Sequence, residues 1–406
     1  MFKFPKLPTV NLFPKKKPNE FLTLDIGTDF VKCFAFKYNQ ESQNFSVVGL
    51  GKQRLANFAT RAGVVVDFNG VKEAASLAIL DAKNQAQTKT NNVIIGLSGE
   101  VTKGLVTTVR LTRPHHESPI SDKELAALIA RIQETAYLEA SKEIIDMTGN
   151  PDLEIELTNS SISWVKLDDH FVKDPVNMPA KKMEVALFTA FSPTFHLELL
   201  QKLCKELKLN IITVTSEMYA LSKCLSVTEG YENVILIDIG GETTDVGVIF
   251  GGGLVATRTL SLGGRHITRA ISECFSLSIE DAEEKKLMYT LGTLSVEESA
   301  SIRDCIKDSL DLWLSGLEVL FLDFNGIKTF PSKIVITGGG SSLRGLDGFL
   351  AYDSWLKNIQ FKETPIFEKA SLNSLIRVSD LTGKATTGDD IMPASLSEVY
   401  LEMEGN

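Results

Sequence analysis

Two aspartates stand at matching points of two apolar strands. The stretches "FLTLDIGTDFVKCFAFKY" (21–38) and "VILIDIGGETTDVGVIF" (234–250) each run into Asp-Ile-Gly, pass a short polar turn and resume as a second strand. Asp25 and Asp238 begin the two copies, 213 positions apart. A third stretch, "SKIVITGGGSSLRGL" (332–346), ends its strand in Gly338, Gly339 and Gly340. Glycine lets an anion come close to backbone N–H groups because no Cβ intervenes, so three such turns suit phosphate. A carboxylate beside a polyphosphate is repelled unless a cation lies between them. Asp25 and Asp238 therefore read as partners of a hydrated magnesium ion. One Asp-Ile-Gly alone reads first as a β-hairpin turn; two copies and a later triple glycine shift the reading to a polyphosphate site. No GxxxxGK[ST] competes, since "LTGKATTG" (381–388) lacks the upstream glycine, and no GxGxxG follows a strand.

The elements that carry these turns follow from their pattern. Strands that stop in glycine turns form the ligand-binding edge of open α/β sheets, and the repeated strand-turn-strand unit points to a duplicated α/β architecture. Between the two copies, "VIIGLSGEVTKGLVTTVRL" (93–111) reads as two strands and "SDKELAALIARIQETAYLEASKEI" (121–144) as a helix. Ser121 is its cap, with Glu124 three residues on. After that helix, "WVKLDDHFVKDPVNMPAKKMEVALFTAF" (164–191) returns to strands. The order marks a small inserted α+β unit at 93–183. The run "LDLWLSGLEVLFLDF" (310–324), with Trp313, reads as a core helix, and residues 364–387, rich in Ser, Thr, Asn and Gly, as loops.

Composition narrows the function classes. With 406 residues, 43% of them hydrophobic and 23% charged, the chain is long enough for two to three soluble domains. A net charge of −10 argues against nucleic acid as a partner, which needs a positive surface. Five cysteines without a CxxC pair indicate neither a disulfide framework nor a zinc site. No apolar run approaches the ~18–20 residues that span a bilayer. Residues 1–18, "MFKFPKLPTVNLFPKKKP", hold five lysines and no acid. Their prolines break both a signal-peptide core and a continuous amphipathic helix, leaving an extended basic tail suited to an anionic lipid surface or a partner. His115 and His116 lack metal-binding spacing, and His170, His196 and His266 are isolated.

From Phe21 to about Met403 these motifs resemble the FtsA/PilM group of the actin-like ATPase superfamily. The resemblance implies an actin-like (ribonuclease H-like), two-lobed α/β fold with an inserted α+β subdomain. It divides the chain into a tail (1–19), a first lobe (20–92 and 184–215), the insert (93–183) and a second lobe (216–403). "LDIGTDFVK" is similar to the first phosphate segment, which makes Gly27, Thr28, Asp29 and Lys32 nucleotide-binding candidates. "LIDIGGETTDVG" is similar to the second, with Gly240, Gly241, Glu242, Thr243 and Thr244. "LSLGGRHITRAI" resembles the run that follows it, with Gly263, Gly264 and Arg265. "IEDAEEKKLMY" resembles the nucleoside-contacting helix and carries Glu283 and Lys286. "VITGGGSSLRGL" resembles the adenosine segment, with Gly338, Gly339, Gly340 and Ser341. "TSEMYALS" is similar to the connecting segment whose glutamate, here Glu217, faces magnesium and the attacking water.

"DPVNMPAKKMEVAL" looks like an FtsA pattern and favours the cell-division branch over the PilM branch. That branch implies ATP and Mg2+ as cofactors and self-association into filaments at the inner face of the cytoplasmic membrane. Its partners are the tubulin-like division protein and cytoplasmic tails of membrane proteins; in the PilM branch the partner belongs to type IV pilus assembly. Three departures limit the carry-over. Glu242 stands where a third glycine is common, which implies at most a slow ATPase. Arg269 stands where an aspartate is common. The acidic end "SEVYLEMEGN" is a poor lipid anchor, so residues 1–18 or a partner take that role. A small-molecule kinase on the same superfold is the reading from another class, with Asp245 as its base.

Overall fold

The computed structural model describes residues 18–402 apart from 57–58, 62, 325 and 352–354. The basic tail, residues 1–17, lies outside the described residues, and with it the membrane contact expected there.

Two sheets repeat one plan. In the first, β1 (Glu20–Ile26), β2 (Phe30–Asn39) and β3 (Asn44–Arg54) form an antiparallel meander. A short hairpin of β4 (Thr60–Arg61) and β5 (Val64–Val65) and helix α1 (Phe68–Ala86) lead to β6 (Asn92–Leu97), parallel to β1. The chain then leaves this sheet for β7 (Lys103–Thr112), α2 (Asp122–Thr148), β8 (Ile155–Leu167), β9 (His170–Val172) and β10 (Lys182–Pro193). These strands make a separate sheet in the order β7-β10-β8-β9, with α2 packed on it. Through α3 (Thr194–Glu206) the chain returns to β11 (Asn210–Ser216), parallel to β6.

Helix α4 (Glu217–Ser226), almost wholly buried, carries the chain into the second lobe. There β12 (Val234–Ile239), β13 (Thr244–Phe250) and β14 (Gly253–Leu260) form the second meander. Helices α5 (Gly264–Phe275), α6 (Ile279–Leu291) and α7 (Val296–Leu322) precede β15 (Lys333–Thr337), parallel to β12. Helix α8 (Leu346–Leu350) and β16 (Ile366–Lys369), parallel to β15, complete the lobe. The orders β3-β2-β1-β6-β11 and β14-β13-β12-β15-β16 match strand for strand, so the repeat read from the two Asp-Ile-Gly turns is present in the topology.

Successive side chains of a strand point to opposite faces, and here both faces are covered. On β1, Leu22 and Leu24 pack with α1 and α3, while Phe21 faces a core shared with α4 and the second lobe. On β12, Ile235 and Ile237 pack under α5 to α8, while Val234 and Leu236 join that shared core. This explains why the strands before the aspartates are unbroken apolar runs rather than alternating ones. Ser121 caps α2 by accepting a hydrogen bond from the Glu124 N–H at 3.2 Å.

The boundaries differ from the sequence reading in three places. Strand β6 belongs to the first sheet, so the insert's strands begin at Lys103 rather than at 93; the last of them runs on to Pro193. Residues 364–387 include β16 and a further strand, β17 (Val378–Asp380), rather than loops alone. The chain's end does not stay with the second lobe, because β17 pairs with β3, and α9 (Ile391–Ser395) and α10 (Val399–Glu402) pack on the first sheet. The anchor is aromatic: Tyr400 stacks on Phe21 with ring centroids 4.7 Å apart, and its hydroxyl donates to the Pro18 carbonyl at 2.8 Å. No helix among the described residues is long and apolar enough to cross a membrane.

Candidate functional site

The three glycine turns face one another around a cavity of about 440 Å³ between the lobes. The β1–β2 turn brings Gly27, Thr28 and Asp29 to its wall, with Lys32 behind them on β2; the β12–β13 turn brings Gly240, Gly241 and Thr243. Gly338, Gly339 and Gly340 enter from the end of β15, and Gly263 and Gly264 from the start of α5. Gly338 has φ +83°, and a Cβ there would lie 2.3 Å from Asp238 Oδ1; both the turn and its closeness to the carboxylate require glycine. A Cβ at Gly263 would meet the Gly240 carbonyl at 2.6 Å, so α5 can start this close to the β12–β13 turn only with glycine.

One end of the cavity is crowded with carboxylates. Asp25 and Asp238 project from the ends of β1 and β12, Glu217 from the first turn of α4 and Asp245 from β13. Burial, and then the Asp245 charge, push the Asp238 carboxyl up to about 7. Burial raises Asp245 to about 6 against the pull of Thr259 and the Gly99 N–H. Glu217 is driven well above the carboxylate range by burial and by Asp25, Asp238 and Asp245. Lys32 is the cation among them, 3.3 Å from Asp25 and donating to the Asp389 carbonyl at 2.8 Å. Burial disfavours its charge, but Asp25, Asp389 and Asp238 outweigh it and hold the ammonium protonated.

The other end is apolar. Ile267, Leu287, Leu310, Leu343 and Leu346 line it, with Trp313. At its rim, Glu283 and Lys286 on α6 pair at 2.8 Å, and Lys286 also donates to the Gly264 carbonyl at 3.2 Å.

Four of the singled-out residues stand off the wall. The Thr244 hydroxyl accepts from Trp313 Nε1 at 2.9 Å and donates to the Leu262 carbonyl at 2.8 Å, so it is a packing contact inside the lobe. Ser341 donates to the Gly338 carbonyl at 2.6 Å and holds the glycine turn. Arg265 and Glu242 are bound to each other at 3.1 Å.

Sequence reasoning missed Asp389 and Lys52, which pair with each other on the wall; the Lys52 ammonium also lies 4.4 Å over the Phe30 ring. Lys32 and Lys52 outweigh burial and hold Asp389 down at about 2. Its neighbour Gly388 closes the end of β15 by accepting from Thr337 Oγ1 at 2.9 Å and the Gly338 N–H at 3.2 Å. "TTGDD" carries only turn and capping chemistry, and nothing local places it here; the pairing of β17 with β3 does. Trp313, read only as core, packs and lines the site at once.

The family model described as cell division protein FtsA matches residues 235–362, from β12 to the approach to β16. The chain is 23% identical over 314 residues to the cell division protein FtsA of Rhizobium meliloti, covering 74% of this chain and 66% of that one, just under two thirds of its length. To the FtsA of Bacillus subtilis it is 24% identical over 371 residues, 84% of this chain and 78% of the relative. Among solved structures, it superposes on a chain of a "PilM-PilN type IV pilus biogenesis complex" with a TM-score of 0.65 at 18% identity, over 94% of this chain and 99% of that one. At that identity the superposition speaks for the fold, which is actin-like. The resemblance to the FtsA/PilM group of actin-like proteins holds in sequence and backbone alike.

Proposed function

We propose that this chain is an FtsA-like protein that binds ATP with magnesium between its lobes. In that state it assembles into filaments at the inner face of the cytoplasmic membrane and tethers the tubulin-like division protein. The observation that carries the reading is the cavity itself: three glycine turns and a carboxylate-rich end opposite an apolar end match a triphosphate and an adenosine.

The residues fit magnesium as a hydrated ion. Four carboxylates share that end with Lys32, an excess of negative charge that a divalent cation offsets. Among the described residues no three His, Cys, Asp or Glu side chains converge to hold an ion directly. Magnesium keeps most of its waters, so outer contacts from Asp25 and Asp238 suit it. The ion supplies charge neutralisation between carboxylates and phosphates. The glycine turns offer N–H groups to the phosphates, and Lys32, held by Asp25 and the Asp389 carbonyl, adds positive charge. Glu217 faces the same end, its carboxyl raised by burial and then by the charges of Asp25, Asp238 and Asp245, and is the residue placed to orient an attacking water, with hydrolysis slow at most as Glu242 implies. Calorimetric titration of ATP with and without magnesium tests the proposal; equal affinity in both, or no binding, overturns it.

A second reading keeps the fold and changes the partner. PilM, on which the backbone superposes, is described in complex with PilN in type IV pilus biogenesis, and a pilus-assembly membrane protein is the corresponding partner. Pull-down against each candidate separates the two. The kinase reading has less behind it: the Thr259 hydroxyl and the Gly99 N–H at 3.3 Å tie the Asp245 carboxylate to neighbouring segments, and no observation favours a substrate hydroxyl beside it.

A further inference from the structure

We infer that Arg265 latches the two lobes together before any nucleotide arrives, through Asp29 of the first lobe and Glu242 of its own. The inference concerns the regulation of the cleft proposed above and rests on that reading only where nucleotide enters. Arg265 is the second residue of α5, and its guanidinium spans the mouth of the cleft. Nε donates to Asp29 Oδ1 at 2.9 Å, Nη2 lies 2.8 Å from the same oxygen, and Nη2 also donates to the Thr28 carbonyl at 3.3 Å. All three contacts cross from the second lobe to the β1–β2 turn of the first.

Glu242 gives the arrangement its rigidity. It takes Nη1 at 3.1 Å from the same side of the cleft, so that one face of the planar fork is fixed within the second lobe and the other is aimed across. Arg265 and Glu242 expose 11% and 16% of their side chains and Asp29 35%, so water screens the anchoring pair within the second lobe more weakly than the contact across the cleft. Behind the mouth, Asp25 of the first lobe and Asp238 of the second repel each other, a push between the lobes that acts alongside the attraction of Lys32 for both. A cation fixed at the mouth counters that push. It keeps the binding-competent, closed form populated in the free protein, which removes the loss of apparent affinity that an open resting state imposes.

The test is small-angle scattering of the nucleotide-free protein, comparing the parent with Arg265→Ala, Arg265→Lys and the double variant Asp29→Asn/Glu242→Gln. The radius of gyration should rise in Arg265→Ala and in the double variant, and by less in Arg265→Lys, which keeps the charge but lacks the planar fork that meets Asp29, the Thr28 carbonyl and Glu242 together. Scattering identical to the parent in Arg265→Ala and in the double variant overturns the latch. If Arg265→Ala loses its circular-dichroism spectrum, the double variant, which keeps the side-chain shapes, decides alone. The nucleotide reading is tested apart from this, on the unsubstituted protein: no binding of ATP with magnesium in calorimetric titration overturns that reading, while the unliganded scattering comparison still decides the latch.

Discussion

Asp238 closes a strand of buried apolar residues with a carboxyl that burial and Asp245 raise to about 7. Its ordinary value in an unfolded chain is about 3.9. The native state therefore holds a proton that the unfolded state has released across that interval, and the stability this site contributes is present below pH ~3.9 and lost as pH rises to about 7. Asp245, raised to about 6, works in the same direction. Asp238→Asn should accordingly melt above the parent at pH 8, with the gap closing toward pH 4.5, when both are scanned without nucleotide. A gap of constant size would falsify this account. The same substitution should weaken magnesium-dependent ATP binding by about 10- to 100-fold, the usual effect of losing a group that orients a metal's ligands. For Glu217, crowding by three acids predicts a different split: Glu217→Gln removes whatever slow turnover a phosphate-release assay detects and leaves ATP affinity within a few-fold of the parent.

At the scale of elements, what could be read was what is local. The hairpins around Asp25 and Asp238 announce themselves because a strand, an acid and a glycine turn are adjacent in sequence, and Gly338 follows its strand directly. Strand β6, "NVIIGL", is an apolar run with no local sign of which sheet it joins; only its parallel pairing with β1 assigns it to the first lobe. Asp389 and Lys52 stayed hidden for the same reason, their meeting depending on contacts hundreds of residues apart in the chain. Tyr400 holds that return in place, fully buried, stacked on Phe21 and tilted against Tyr38. Tyr400→Ala should cost about 3 kcal/mol in urea unfolding, the scale of deleting a large buried aromatic. It should also lower ATP affinity, since the same segment carries Asp389 to the cavity wall; a destabilised protein with parental affinity would separate the C-terminal return from the site.

For the molecule as a whole, the two matched sheets and the helix α4 between them make a body whose lobes meet at the cavity, and a ligand there can shift only an equilibrium between states it binds differently. Bound as proposed, ATP with magnesium would touch both lobes through the three glycine turns that line the cavity, so it should favour the closed arrangement and whatever association surface that arrangement presents. The prediction is that the fraction sedimenting at high speed rises with ATP and magnesium, falls when magnesium is removed, and does not rise in Asp25→Asn. A metabolite kinase makes the opposite prediction on every arm: closure would serve transfer, phosphate would pass to a small molecule, and sedimentation would ignore the nucleotide. Trp313 gives an internal control, because its indole lines the same cavity and should change its fluorescence on ATP binding in either case. A fluorescence response without nucleotide-dependent sedimentation would keep the site and discard the filament, and this separates how the cleft is built from what the closed molecule does.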